Sequence, residues 1–342
     1  MWQTKSPNED ENFRLIHERT LVGSRRWLCL CGLASLASIG LAAMQFPNLH
    51  ASSTRRYKGD PSAAAGQHRA WLIGEMGSWI ARREDSLASV ARQSGLGYTE
   101  MLAANPNVDP WLPKPGTRIV LPTSHLVPGF RGPGLFVNLA QQRLYVIPSL
   151  DAEIISFPIG IGRAGWETPV GRTEVFQRRE HPAWRVPASI RAESPGLPEI
   201  VPPGDENPLG THAIDLGWPG FVIHGTNHPT GIGRRVSHGC IRLYPEDIIR
   251  LFELVYIGMP VTIIDVPIIV GWVGTQLYIE VHPTQRQSDE LEVFGMVVAS
   301  EGQYALDDLL CAAGQYAEKI NWQRLTQIIL DSEGIPIVIT ER

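Results

Sequence analysis

Two residues of this 342-residue sequence stand at a spacing suited to nucleophilic catalysis: His224 and, 16 positions later, Cys240. They lie in the runs Val222-Ile223-His224-Gly225-Thr226 and Ser237-His238-Gly239-Cys240-Ile241-Arg242-Leu243. A thiol attacks well only as its thiolate, and a free cysteine with a pKa of about 8.5 needs a base or a cation beside it at neutral pH. His224 is the candidate base. The connecting segment holds Gly231 and Gly233 and is turn-rich enough to fold back and bring its two ends together. Gly239 lets the backbone come close to a substrate carbonyl, and N–H groups around Gly239 and Cys240 are candidate oxyanion donors. Other chemistry competes for the same residues. His224, His228, His238 and Cys240 have zinc-ligand side chains at plausible spacing, and an inert buried thiol is the plainest reading of Cys240. A loop this rich in glycine suits a nucleophile and base better than a closed metal cage, so neither a metal nor a cofactor is expected.

Such a pair has to be held by a scaffold, and the surrounding pattern is that of strands. Runs at 135–139 and 144–147 are spaced as a hairpin, and further β-rich runs follow at 154–161, 173–176, 221–224 and 261–265. A helix is expected after Tyr244. Pro245 suits its first position, Glu246 and Asp247 complement its dipole, and Ile248, Leu251, Phe252 and Val255 give it one apolar face. These features predict a mainly β domain, a sandwich or barrel-like core, over 134–265. A β-hairpin is expected at 266–285, and 286–342 reads as an α/β tail without chemistry of its own. Upstream, 78–122 has the pattern strand, helix, helix, strand, a small α+β module.

Composition narrows the classes further. A net charge of −5 and a pI near 6.1 give no basic stripe for nucleic acid. Residues 1–26 end in Arg25 and Arg26, and 27–46 contain no charged side chain, the pattern of an export signal or a membrane anchor. Any membrane contact is expected through 27–46 alone, with 51–77 as a linker. Ser24-Arg25-Arg26 has the start, but not the remainder, of a twin-arginine signal. Cys29 and Cys31 fall in the apolar run as small hydrophobes, which leaves Cys240 and Cys311 outside it, with a single bridge between them open.

With its upstream histidine, Ser237-His238-Gly239-Cys240 resembles the signature of the YkuD-type L,D-transpeptidase family. Arg242 in place of the frequent asparagine points to the branch related to ErfK and YbiS. Pro158-Ile159-Gly160-Ile161-Gly162, Thr168-Pro169-Val170-Gly171 and Pro182-Ala183-Trp184 also agree, and the resemblance covers about 78–283. The 78–122 unit resembles a LysM module through Asp85-Ser86-Leu87, Asn105-Pro106 and Pro115-Gly116-Thr117, although Glu84 replaces the usual glycine.

By this resemblance, Cys240 forms a thioester with the third residue of a peptidoglycan stem tetrapeptide, usually diaminopimelate, and releases D-alanine. An amine then resolves the thioester, supplied by a second stem peptide or by the terminal lysine of an outer-membrane lipoprotein. His224 is the implied base, oriented by the Gly225 carbonyl, while Ser237, His238 and Gly239 shape the loop. Arg242 and Trp184 are candidate substrate contacts; Arg234 and Arg235 either meet stem-peptide carboxylates or lie as solvated charge. The LysM resemblance implies attachment to glycan strands, so deletion of 78–122 is expected to weaken wall retention and spare turnover of small peptides. Two alternatives remain open: a hydrolase that lets water resolve the thioester, and a glycan-binding protein without catalysis.

Overall fold

The computed structural model of the chain describes residues 70–127, 132–149, 152–297, 309 and 312–340. The expected segments 1–26 and 27–46, most of the linker at 51–77, and Cys311 lie outside the described residues. No helix among the described residues is long and apolar enough to cross a membrane.

The first unit contains β1 (Trp71–Ile73), β2 (Gly77–Ile80), α1 (Leu87–Gln93), α2 (Tyr98–Ala103), β3 (Arg118–Leu121) and β4 (His125–Val127). Local chemistry sets these boundaries. The Ser86 hydroxyl accepts from Ser89 N–H while Ser89 Oγ accepts from Ser86 N–H, a reciprocal cap that starts α1 and turns Leu87, Val90 and Ala91 inward. The Asn105 side chain donates to the carbonyls of Met101 and Val120 and accepts from Val120 N–H, so it ties the end of α2 to β3. β2 and β3 then pair antiparallel, completing the expected order of strand, helix, helix, strand.

The central sheet uses β5 (Gly134–Asn138), β6 (Arg143–Ile147), β7 (Ile155–Pro158), β9 (Gly171–Glu180), β12 (His212–Leu216), β13 (Val222–His224), β15 (Ile241–Arg242) and β16 (Pro260–Ile264). Their spatial order is β15-β13-β12-β9-β16-β5-β6-β7. Most neighbours are antiparallel, but β16 with β5 and β13 with β15 run parallel. The mainly β expectation therefore takes the form of one eight-stranded mixed sheet. Helix α4 (Pro245–Leu254), started by Pro245, lays Ile248, Leu251 and Phe252 on a core that includes Ile214, Ile223 and Ile241. Short pairs flank the sheet: β8 (Ile161–Gly162) with β14 (Arg235–Ser237), and β10 (Trp184–Arg185) with β11 (Ile200–Val201), which bracket α3 (Ala188–Glu193).

After the sheet, β17 (Ile268–Val273) and β18 (Gln276–Val281) form the expected hairpin, and β19 (Ile337–Val338) adds a third strand to it. α5 (Gln285–Phe294) and α6 (Trp322–Asp331) complete the described tail. The tail is not idle packing. Arg234 pairs with Glu292 of α5 at 2.6 Å and stacks over the Tyr98 ring, while Arg235 pairs with Asp289 of the same helix. This corrects the substrate-facing option for both arginines, because their charges are spent inside the fold.

The first unit is likewise joined to the sheet domain. Tyr98 N–H and Thr99 N–H, at the start of α2, donate to the carbonyls of Ile232 and Gly233 at 3.2 and 3.0 Å. A Cβ on Gly97 would stand 2.8 Å from Gly233 Cα, so the two backbones touch. Below this contact lies a fully buried charge cluster. Arg143 of β6 reaches Glu100 of α2 at 3.2 Å and the Gly95 carbonyl at 2.8 Å, and His125 lies 3.5 Å from the same Glu100. Glu280 of β18 accepts from Gln141 at 3.0 Å and lies 2.6 Å from His282 Nε2. Burial alone would push Glu280 up, but the proximity of His125, 3.8 Å away, and the close contact with His282 hold it down at about 2.

Candidate active site

Strand register puts the candidate nucleophile and base on the same side of the sheet. Ile223 is opposite Ile241 and His224 opposite Arg242, and Ala213 and Asp215 of β12 face His224 and Val222. Alternate residues of a strand share a face. Ile214, Ile223 and Ile241 point into the core, so His224 and Arg242 project from the other face; the Cys240 thiol, just before β15, lies against that face, with a backbone hydrogen bond at Val222 and the charges of Arg242 and Asp215 acting on it. The carbonyl of His224 also accepts from Leu243 N–H at 2.9 Å, locking β13 to the segment after the cysteine.

The loop before Cys240 has its own supports. Ser237 donates its hydroxyl to the Cys240 carbonyl at 2.6 Å. Thr168 donates to the Gly239 carbonyl and accepts from Gly162 N–H, both at 3.0 Å, which ties the loop to β8. Gly239 sits at φ +96°, and a Cβ there would meet Phe221 Cε1 at 3.0 Å, so both conformation and space require glycine. Among the described residues nothing accepts a hydrogen bond from the N–H groups of Gly239 or Cys240.

The electrostatics describe a neutral pair at rest. His224 is buried with Nδ1 2.6 Å from the Gly225 carbonyl oxygen; a carbonyl only accepts, so Nδ1 carries the proton and Nε2 keeps its lone pair. Burial, reinforced by the charge of Arg242, pushes the imidazole down to about 3 against the opposing pull of the Gly225 bond. The Cys240 thiol is raised by burial and lowered in part by a backbone hydrogen bond at Val222 and by Arg242. Its Sγ lies 3.8 Å from the Gly220 carbonyl, and the thiol is free. A neutral thiol, an imidazole with a free Nε2 and N–H groups beside the thiol are the groups that general-base acyl transfer requires.

Not every expected residue joins this group. His228 is exposed and starts the turn at Pro229–Gly231. His238 looks away toward α3, with Nε2 3.0 Å from both Glu193 Oε2 and Arg163 Nη2 and its ring edge-on to Trp166. Trp184 pairs with Val201 through β10 and β11, and among the described residues no ring contact or hydrogen bond joins it to the pair. Sequence reasoning gave no role to Thr168, Glu193 or Arg163. Thr168 lay within a recognisable run, but its bond to Gly239 depends on a fold-back across 71 residues. Nor did sequence reasoning single out Arg179 and Asp215, which form a two-pronged ion pair at 2.7 and 2.8 Å on the same face as Cys240.

Comparison with known proteins points to one family. The family described as "L,D-transpeptidase catalytic domain" matches residues 132–263. The chain is 39% identical over 231 residues to "Probable L,D-transpeptidase YcfS" of Escherichia coli K12, covering 64% of this chain and 72% of that one. It is 36% identical over 281 residues to "Probable L,D-transpeptidase YbiS" of the same organism, covering 79% and 90%. To "Probable L,D-transpeptidase ErfK/SrfK" of E. coli K12 it is 43% identical over 187 residues, covering 53% and 60%.

Proposed function

The chain belongs to the L,D-transpeptidase family, and from that premise we propose that it cross-links or decorates peptidoglycan through a thioester on Cys240. The sulfur attacks the main-chain carbonyl of the third residue of a stem tetrapeptide while His224 Nε2 takes the thiol proton. The tetrahedral oxyanion forms against the N–H groups of Gly239 and Cys240. Its collapse breaks the amide bond, and His224 returns the proton to the departing D-alanine amine. An acceptor amine then attacks the thioester, gives its proton to His224, and leaves an amide and the free thiol. The acceptor is a second stem peptide, giving a 3→3 link, or a lysine of an envelope lipoprotein.

The observation that carries this reading is the tautomer of His224. Its Nδ1 is committed to Gly225, so the nitrogen left to act is Nε2, on the sheet face it shares with Cys240. Work in the periplasm or elsewhere in the envelope belongs to the same proposal, through export by 27–46, and glycan attachment belongs to it through 78–122. Intact-protein mass spectrometry with a soluble stem tetrapeptide tests the chemistry. An acyl adduct on Cys240 with equimolar D-alanine supports it, and absence of both sinks it. Addition of an amine separates the outcomes further: a new amide product means transferase, and amine-independent product means hydrolase.

A further inference from the structure

The face that carries Cys240 continues across two more strands, and its composition changes along the way. Register places Arg179 of β9 opposite Ala213, Ala213 opposite His224, and His224 opposite Arg242. In the adjacent row Gln177 faces Asp215, Asp215 faces Val222, and Val222 lies beside the position of Cys240. Between the thiol and Asp215 of the ion pair the floor is therefore the partly exposed Val222, a short apolar step, with Ala213 and His224 buried in the neighbouring row. With strands roughly 4.8 Å apart, Asp215 stands about 10 Å from the nucleophile, one strand removed.

We propose, on the reading of the site given above, that Arg179 and Asp215 form the subsite for the side chain of the acyl donor's third residue, Arg179 taking a terminal carboxylate and Asp215 the ammonium on the same carbon. A diaminopimelate side chain has three methylenes and then a carbon bearing both charges, which matches an apolar floor ending in a cation and an anion. The pair is equipped to share its bonds. Arg179 spends Nε and Nη2 on Asp215, leaving Nη1 for a second carboxylate, and a carboxylate engaged by two donors retains lone pairs for an ammonium. The side chains are 29% and 21% exposed, open enough to be reached and sheltered enough for charge recognition to be selective. Their charges also reach the catalytic pair, Arg179 lowering His224 and Asp215 raising Cys240.

The test uses two soluble tetrapeptides that differ only at the third residue, one with diaminopimelate and one with L-lysine, which keeps the ammonium and lacks the carboxylate. The rate of acyl-adduct formation on the full chain is measured with no acceptor present, along with the thermal midpoint of each variant. Wild type is expected to favour the diaminopimelate donor by about tenfold or more, the usual worth of a charged hydrogen-bond pair. Arg179→Met should bring that ratio close to one, and Arg179→Lys should restore part of it. Asp215→Asn should slow both donors, because both carry the ammonium. A wild-type ratio near one, or a ratio that Arg179→Met leaves unchanged while the midpoint falls, overturns the subsite and makes the pair a tie between β9 and β12. Acylation by neither donor would instead fell the transpeptidase reading, and this inference with it.

Discussion

His224 Nδ1 lies 2.6 Å from the carbonyl oxygen of its own neighbour, Gly225, and this one bond decides which ring nitrogen is left to act as base. The contact is local in sequence, yet it orients a ring whose proposed partner is 16 residues away.

Single alanine variants should rank accordingly. Cys240→Ala abolishes acylation, and His224→Ala lowers D-alanine release by about 10²–10⁴, the usual worth of a general base. His228→Ala, at an exposed turn, is expected to be mild. A strong chelator should have no effect. Chelator sensitivity combined with a crippled His228→Ala variant would overturn the assignment of Cys240 and His224 in favour of the zinc reading.

The pH dependence follows from the two shifts. With the imidazole held at about 3 and the thiol raised, the resting state over the neutral range is thiol plus neutral imidazole. Alkylation of Cys240 by iodoacetamide should therefore rise continuously through pH 9. A plateau with a midpoint near pH 6 would instead reveal a preformed thiolate–imidazolium pair. For stability the sign is that of a depressed histidine. The unfolded chain binds the proton below about 6.5 while the folded chain does not, so the contribution of His224 is complete above 6.5 and is lost as pH falls toward 3. Thermal midpoints between pH 7 and 4 should fall less steeply in His224→Gln than in wild type.

Gly239→Ala should cost both stability and activity. A left-handed backbone at a non-glycine residue is worth roughly 1–2 kcal/mol, and the new methyl meets the Phe221 ring at 3.0 Å. The expected readouts are a lowered thermal midpoint and acylation slowed by at least about tenfold, because the displaced N–H no longer meets the oxyanion. Wild-type acylation in this variant would remove Gly239 from the catalytic loop's geometry.

Contacts of α2 with Ile232 and Gly233 reverse the expectation that 78–122 can be deleted at no cost to turnover. Those carbonyls lie in the segment that returns the chain from His224 to Cys240, and two N–H donors from the first unit hold them. Deletion should depress D-alanine release from a soluble tetrapeptide as well as retention on insoluble wall. Gly97→Ala is the milder probe, since its methyl would press on Gly233 backbone at 2.8 Å. A deleted chain with wild-type turnover would show that the loop keeps its shape unaided.

The sequence made local chemistry legible. The candidate pair His224 and Cys240 stood out by residue type, and helix α4 with its buried Ile248, Leu251 and Phe252 could be read from spacing, because a helix depends on neighbours within a turn or two. What escaped were pairings across long separations. Arg234 and Arg235 read equally well as substrate contacts or surface charge until α5 supplied Glu292 and Asp289, more than 50 residues on. Likewise Arg179 and Asp215 meet only because β9 and β12 are neighbours in the sheet, and nothing in either strand's pattern announces the partner.

The charge cluster around Arg143 has a consequence for how the molecule comes apart. Its members arrive from α2, β4, β6 and β18, and none can shed water safely until the others are in place. Stripping one partner from a buried ion pair costs about 3–5 kcal/mol, a large share of a typical folding free energy. The first unit, the sheet domain and the terminal hairpin are therefore bound into a single cooperative transition. Partly unzipped forms with a docked sheet and a loose flank should be too rare for a protease to find.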